Sequence, residues 1–350
     1  MSKFDLNKLN TSRKKEHLNL SLNHEFSHGS SNSGFDNYYF IHNALPEISL
    51  DEIDTKITVF EKKLDLPLMI SPMVGGINEA QKINKDLAKV ASVAKIAMGV
   101  GSQRIAINDE NLTATFKVRD MAPDIVLFAN LGAVQLNYGF GMKECLKAVN
   151  MIGADALFLH LNPLQEALQA EGNHNFKNLL EKIKDVCDKL DNPVFAREIG
   201  FGISGEVALK LKMAGIKGID VGGSGGTPWL EIEKARLENG NLKEASQFFK
   251  NWGISTSESI KMVRESCPDI FLIASGGIRT GIDVAKAIAL GANMVGIALP
   301  MLRYIKISIN ACLDYLKEIE TGLRIAMFCI GVSNIRQLKN SLSLKKVLIN

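Results

Sequence analysis

The chain lacks a disulfide framework. Its five cysteines (Cys145, Cys187, Cys267, Cys312, Cys329) are scattered, odd in number and never spaced CxxC, which excludes a cystine-stapled scaffold and a thiolate zinc site. Charge of one sign is equally scarce. Against 41 Lys and Arg stand 38 Asp and Glu, a net charge of +3, too little to recruit nucleic acid or a membrane surface. No uncharged apolar run nears the roughly 20 residues that span a bilayer. The first twenty residues, MSKFDLNKLNTSRKKEHLNL, hold no apolar leader core, so the expected location is the cytoplasm. No P-loop occurs, and no GxGxxG opens the first helix, which counts against an open doubly wound sheet. What is present is ordinary: 350 residues, 46% hydrophobic and 23% charged, suit a soluble chain long enough for one large barrel. Twelve methionines read as core filler.

The organising stretch is DIFLIASGGIRTGIDVAKAIALGANMVGIALP, 269–300. It reads as a buried strand, a glycine turn (Gly276, Gly277), a helix from Gly281 to Leu290 and a second buried strand, the right-handed crossover unit of a parallel sheet. Glycines at the turn and Arg279 beside a helix N-terminus suit a phosphate. Comparable apolar runs begin at Leu68 and recur at 68–73, 96–102, 125–132, 156–162, 194–200, 219–223, 271–277 and 294–300, mostly separated by helical segments. Eight runs over about 230 residues predict an α/β chain folded as a (β/α)8 TIM barrel, with the loops after strands seven and eight placed to grip a phosphate. No repeat longer than the βα unit stands out.

Around the barrel the expected organisation is an N-terminal extension (1–66), the barrel itself (67–320) and a C-terminal helical extension (321–350). RKKEH at 13–17 is a basic cluster in the extension. SHGSSNSG at 27–34 reads as a flexible loop, FDNYYFIHNALPEI as a segment across one end of the barrel, and ITVFEKKLDLPLMISPM as a hairpin entry into the first strand. The charged segment 231–253, after strand six, is expected as a lid or packing extension on the face where barrel chemistry sits. A final barrel helix is expected over 301–320, and one more amphipathic helix after it.

Strand ends carry the chemistry of such a barrel. Here they carry Ser71 to Gly76, Gly101 to Arg104, Asn130, His160 to Glu166, Arg197 with Glu198, and Gly222 to Trp229. In HLNPLQE (160–166), strand alternation points His160 and Asn162 the same way, and the turn exposes Gln165 and Glu166. Amides and a histidine suit a polar ligand, and Glu166 offers a hard oxygen to a cation such as Mg²⁺ or is simply a solvated residue of a first helical turn. Arg13, Lys14, His17 and Arg104 would suit a second anion. A barrel with a phosphate grip and an amide-lined mouth points to a phosphorylated cofactor such as FMN.

In order, RKxxH (13–17), ALPE (44–47), MxGG (73–76), GSQR (101–104), NLG (130–132), HLNxxQE (160–166), GGTxW (225–229) and GGIRTG (276–281) make the sequence resemble the type 2, FMN-dependent isopentenyl-diphosphate isomerases over essentially its full length. That resemblance implies interconversion of isopentenyl and dimethylallyl diphosphates by a 1,3-allylic proton shift on reduced FMN, with Mg²⁺, NADPH as reductant and a homo-oligomer of four or more chains. It assigns Ser71, Pro72, Met73, Val74, Ser102, Asn130, Arg197 and Thr227 to the flavin, and Gly276, Gly277, Ile278, Arg279, Ala298 and Leu299 to its phosphate. Arg13, Lys14, His17, Ser102, Gln103, Arg104, His160, Asn162 and Gln165 fall to the prenyl diphosphate, with Gln165 and His160 as catalytic residues and Glu166 as metal ligand. Two positions depart from the family pattern: Arg197 replaces a lysine and Val74 a threonine. The rival expectation on the same barrel is an FMN-dependent 2-hydroxy-acid oxidase, which would need a histidine base near strand seven; the 275–281 turn has none.

Overall fold

The computed structural model describes residues 3–23 and 32–347. Among these, eight parallel strands close into a barrel in chain order: Leu68–Ile70, Ala97–Gly99, Leu127–Gly132, Ala156–Leu161, Val194–Glu198, Gly218–Asp220, Phe271–Ser275 and Met294–Ile297, the last pairing with the first. Every expected apolar run supplies one strand. Alternation sorts the side chains. Met69, Ala97, Phe128, Phe158, Phe195, Ile273 and Met294 fill the inside of the barrel, whereas Leu68, Ile70, Met98, Leu127, Leu157 and Leu159 pack outward under the helices, as a period of two requires. Phe128 stacks on Phe158 with centroids 4.5 Å apart, and Phe195 fits because residue 218 is glycine, where a Cβ would stand 2.0 Å from its ring.

The hairpin Ile57–Val59/Lys62–Leu64 plugs the N-terminal end of the barrel. Phe60 at its turn meets Phe128 and Phe195, and Lys62 Nζ donates to Ile125 O and Asp155 Oδ1. The segment expected across one end instead runs along the outside. Tyr38–Phe40 pairs antiparallel with Leu344–Lys346, and Arg324 donates to Leu50 O and Ile53 O. The C-terminal elements also differ from expectation. The 301–320 helix is two, Leu299–Ile307 and Ile309–Cys329, because Ser308 is extended and its hydroxyl caps Ala311 N. Residues 321–350 are not one helix: a turn with Gly331 at φ 72° ends the long helix, and Ile335–Lys339 and the Leu344–Lys346 strand follow. Most of the 27–34 patch, residues 27–31, lies outside the described residues.

The contacts expose an internal repeat that the sequence pattern hides. Arg119, before strand three, donates to the carbonyls of Ala122, Pro123, Ile125 and Gly153 and to Asp155. Before strand seven, Arg264 does the same to Cys267, Pro268, Ile270, Gly291 and Asn293. Leu127 N then donates to Asp155 as Leu272 N does to Asn293. Gly76 and Gly202, eight residues past the starts of strands one and five, share φ near 80°. The same arginine clamp and the same glycine conformation thus recur four strands apart. Arg119→Ala and Arg264→Ala should each cost about 3 kcal/mol in urea unfolding, since each strands several carbonyls at the barrel floor; a variant with no loss would break the equivalence.

Candidate active site

The strand C-terminal ends surround a cavity of about 540 Å³. Its deep wall is built by strands five and six. Arg197 is buried, its Nε 3.4 Å from Asp220 Oδ2 and its guanidinium 5.8 Å from the Phe158 ring. Asp220 is held by Ser275 Oγ and Gly222 N. Burial pushes the Asp220 carboxyl up, against the pull of Arg197. Nε and Nη1 of Arg197 have no hydrogen-bond partner among the described protein groups. A buried cation that lines a cavity and keeps Nη1 without a partner is a fitting neighbour for an electron-rich polar ring.

Next to it, Glu198 Oε2 accepts from Ile199 N, Gly200 N and Phe201 N. Burial outweighs those donors and raises its pKa from 4.5 to about 7. Below pH 4.5 the group is neutral in both folded and unfolded chains, so it costs nothing. Between 4.5 and about 7 the unfolded chain ionises while the folded one resists, and stability falls by roughly 1.4 kcal/mol per pH unit. Glu198→Gln should therefore melt higher than the parent at pH 8 and nearly level with it at pH 4.5. An equal gap at both pH values would refute the assignment.

Strands seven and eight build the phosphate end. Thr280 and Asp283 cap each other's backbone at the start of the Gly281–Ala289 helix, which presents Gly276 to Arg279 to the cavity. Gly276 and Gly277 are at φ 110° and 75°, and a Cβ on Gly277 would stand 2.5 Å from Gly225 O; this loop and the strand-six loop interlock only as glycines. Arg279 donates to Gly277 O and Gly225 O, and Tyr315 OH donates to Arg279 O. Ala298 is N-cap of the nine-residue Leu299–Ile307 helix, whose N-terminus opens on the same end. Backbone cradle, arginine and helix terminus together fit the phosphate of FMN.

The opposite side is cationic. The Lys3–Asn23 helix lies over the mouth and sends Arg13, Lys14 and His17 into the cavity, where Arg104 joins them. Lys14 Nζ donates to Gly75 O and Ser102 O, and burial drives its pKa well down, so it also fastens the loops after strands one and two. Arg104 is lowered to about 10 by burial and by Arg13. Between the two ends stands HLNPLQE. Gln165 Nε2 donates to Glu233 Oε1 at 2.8 Å, and Gln165 Oε1 accepts from Asn162 Nδ2 at 2.9 Å. Glu166 is buried; it accepts from Asn162 Nδ2 and Asn173 N. Asn162 Oδ1 is buried without a partner. No group of three or more His, Cys, Asp or Glu among the described residues could hold a metal alone. The residues present fit a hard cation completed by a ligand's own phosphate oxygens.

Of the residues singled out in the sequence, Arg13, Lys14, His17, Pro72, Met73, Val74, Ser102, Arg104, Asn130, His160, Asn162, Gln165, Glu166, Arg197, Thr227, Gly276, Gly277, Ile278, Arg279, Ala298 and Leu299 line this one cavity. Two stand behind it. Gln103 is buried, spending its amide on Ala148 O and Asn130 N. Ser71 is buried against the strand-eight backbone, where a Cβ on Gly296 would lie 2.5 Å from its Oγ. Val74 O is taken by Gly101 N and Asn84 Nδ2.

Sequence reading missed Glu233. It lies in the 231–253 segment expected as a lid or packing extension, which is helical up to Arg236 and again over Asn241–Ser246. Glu233 is 1% exposed, accepts from Gln165, Gln169 and Arg236, and lies 3.0 Å from His17 Nε2. His17 and Arg236 hold its carboxyl down at about 2 despite burial. Nothing in a charged surface-like helix marks one glutamate as buried. The sequence also carries two spacings with catalytic associations, HEFSH at 24–28 and GGSGG at 222–226. The first lies outside the described residues. At the second, Ser224 bonds through its backbone to Ile254 and Thr256.

A profile of the FMN-dependent dehydrogenase family matches residues 9–115 and 162–345. Isopentenyl-diphosphate delta-isomerases of Nostoc sp. and Rickettsia prowazekii are 47% and 46% identical to this chain; the alignments cover 96% and 94% of it and 96% of each relative. That of Synechocystis sp. is 45% identical, covering 93% of both chains. Among solved structures, lactate oxidase of Pediococcus acidilactici superposes at TM-score 0.64 with 17% identity, over 99% of this chain and 95% of that one. A flavocytochrome b2 superposes at 0.67 with 16% identity, over 98% and 86%. These last two share the fold.

Proposed function

The chain belongs to the FMN-dependent dehydrogenase family and, within it, to the isopentenyl-diphosphate delta-isomerases, and we propose from that premise that it interconverts isopentenyl and dimethylallyl diphosphates by an allylic proton shift at this cavity. One observation carries the reading: a glycine–arginine loop and a cluster of basic side chains line one cavity, with the Gln165 amide held in the same lining by Asn162 and Glu233. When bound and reduced, FMN supplies the electron-rich ring and the proton exchange that an amide cannot, since Gln165 is neither acid nor base near neutral pH.

The protein's own groups bind, orient and exclude water. Gly276–Arg279 and Ala298–Leu299 would hold the FMN phosphate, with Arg197 against the ring. Arg13, Arg104, His160 and Asn162 would hold the diphosphate, and Glu166 would share Mg²⁺ with it. Gln165 fixes the position of the five-carbon chain, because Glu233 and Asn162 leave its amide a single orientation. NADPH as the reductant, a cytoplasmic location and a homo-oligomer of four or more chains belong to this proposal. No helix among the described residues is long and apolar enough to cross a membrane.

The test is an absorbance spectrum of purified protein, then anaerobic reduction and an isomerisation assay with isopentenyl diphosphate. Protein that takes up no FMN, or takes it up and leaves the substrate unchanged, sinks the proposal. The hydroxy-acid oxidase reading has the fold in its favour. However, the histidines lining the cavity are His17 and His160, on the N-terminal helix and strand four rather than beside strand seven. Oxygen consumption with lactate or glycolate would revive it.

A further inference from the structure

Asn130 on strand three and His160 on strand four meet at the cavity wall. Asn130 Nδ2 donates to Val100 O at 3.1 Å. That fixes the amide and turns its Oδ1 to the imidazole, 2.8 Å from Nδ1. An amide oxygen has no proton to give, so Nδ1 carries the hydrogen. A neutral ring holds only one, and Nε2 is therefore a bare lone pair. Gln103 locks the arrangement from behind: its backbone N donates to Asn130 O, and its side-chain Oε1, fixed by the Nε2 bond to Ala148 O, accepts from Asn130 N. Position 132 leaves Nε2 open, since a Cβ there would stand only 3.1 Å from it.

The charged groups facing the ring are Arg197 on strand five, Arg104 after strand two, and Lys14 and Arg13 from the N-terminal helix. Burial first, and then the positive charge around the ring led by Arg197 and Arg104, depress His160 to about 3. In the free enzyme the ring is neutral.

We propose, resting on the reading of this cavity as a prenyl-diphosphate site, that Asn130 is the positioning residue that aims His160 Nε2 at the diphosphate, and that substrate binding puts one proton from solvent on that nitrogen. A lone pair facing a phosphate oxygen repels it. At pH 8 the terminal phosphate, with a second pKa of about 6, has no hydrogen to share. The contact becomes an N–H···O bond only when Nε2 is protonated, and the three negative charges of the diphosphate offset the cations that oppose it. No bond in the substrate is made or broken in this step; one proton moves from buffer to imidazole.

The experiment is calorimetric titration of isopentenyl diphosphate into the oxidised FMN holoenzyme with Mg²⁺ at pH 8, in HEPES and in Tris, whose ionisation enthalpies differ. The expected slope of binding heat against buffer ionisation enthalpy is about one proton taken up. In Asn130→Asp a carboxylate faces Nδ1 and raises the ring's pKa in the free enzyme, so uptake should fall below the parent's while binding persists. His160→Gln should bind without uptake, roughly tenfold to a hundredfold more weakly. ¹⁵N NMR of histidine-labelled protein should show Nε2 bare when free and protonated in the complex. Binding with no buffer dependence, or the same uptake in Asn130→Asp, overturns the inference alone. Absence of any binding heat overturns the diphosphate-site reading and the inference with it.

Discussion

Gln165→Ala should lower turnover of isopentenyl diphosphate by roughly 10²- to 10³-fold while FMN affinity changes by no more than about twofold. The split follows from position. Gln165 is one of three side chains converging on Glu233 Oε1, and its other amide atom is bonded to Asn162, none of them in the Gly276–Arg279 loop proposed to hold the FMN phosphate. Removing it leaves a substrate free to sample unproductive poses and one fewer hydrogen bond to a buried carboxylate. Turnover under anaerobic, reduced conditions beside an FMN titration by flavin fluorescence separates the two effects. Unchanged turnover would strip Gln165 of its role. Equal losses in both would make it a folding residue.

Arg197→Met should be the more damaging change for the flavin. The methionine roughly fills the volume but removes the cation beside Asp220, which then keeps only Ser275 Oγ and Gly222 N. Breaking a buried pair from one side typically costs 3–5 kcal/mol, so unfolding in urea should shift by about that much at pH 8, and less at low pH, where Asp220 is protonated. FMN affinity should drop by roughly 100-fold, because the buried charge and its unpartnered Nη1 are lost. Arg197→Lys restores a charge without the planar fork and should recover most of the stability. If Arg197→Met binds FMN as the parent does, the flavin ring is not against this wall.

How much of this was legible without coordinates varies by residue. The eight apolar runs were visible because a barrel strand is buried on both faces and reads as a continuous hydrophobic stretch. The phosphate end was visible because glycines at φ 110° and 75° and a fixed arginine leave a local mark. Lys14 shows a partial reading: its residue type indicated an anion site, yet its ammonium also clamps two loops through Gly75 and Ser102. Gln103 follows a motif that lines the cavity on both sides, and still its side chain points away, since its hydrogen bonds go to Ala148 and Asn130.

Sequence by itself determined what is local and periodic: the strands and their order, the glycine cradle, and the motif residues that mark the family. Only the tertiary structure decided what depends on pairings far apart in the chain. It buried Glu233 under Gln165, 68 residues away, set Arg119 and Arg264 in like places four strands apart, and turned Asn130 Oδ1 to accept from His160 Nδ1, 30 residues on. Alternation and turn chemistry act over a few residues and are written in residue type; the burial of one charge by another depends on which surfaces meet when the barrel closes, and composition carries no record of that.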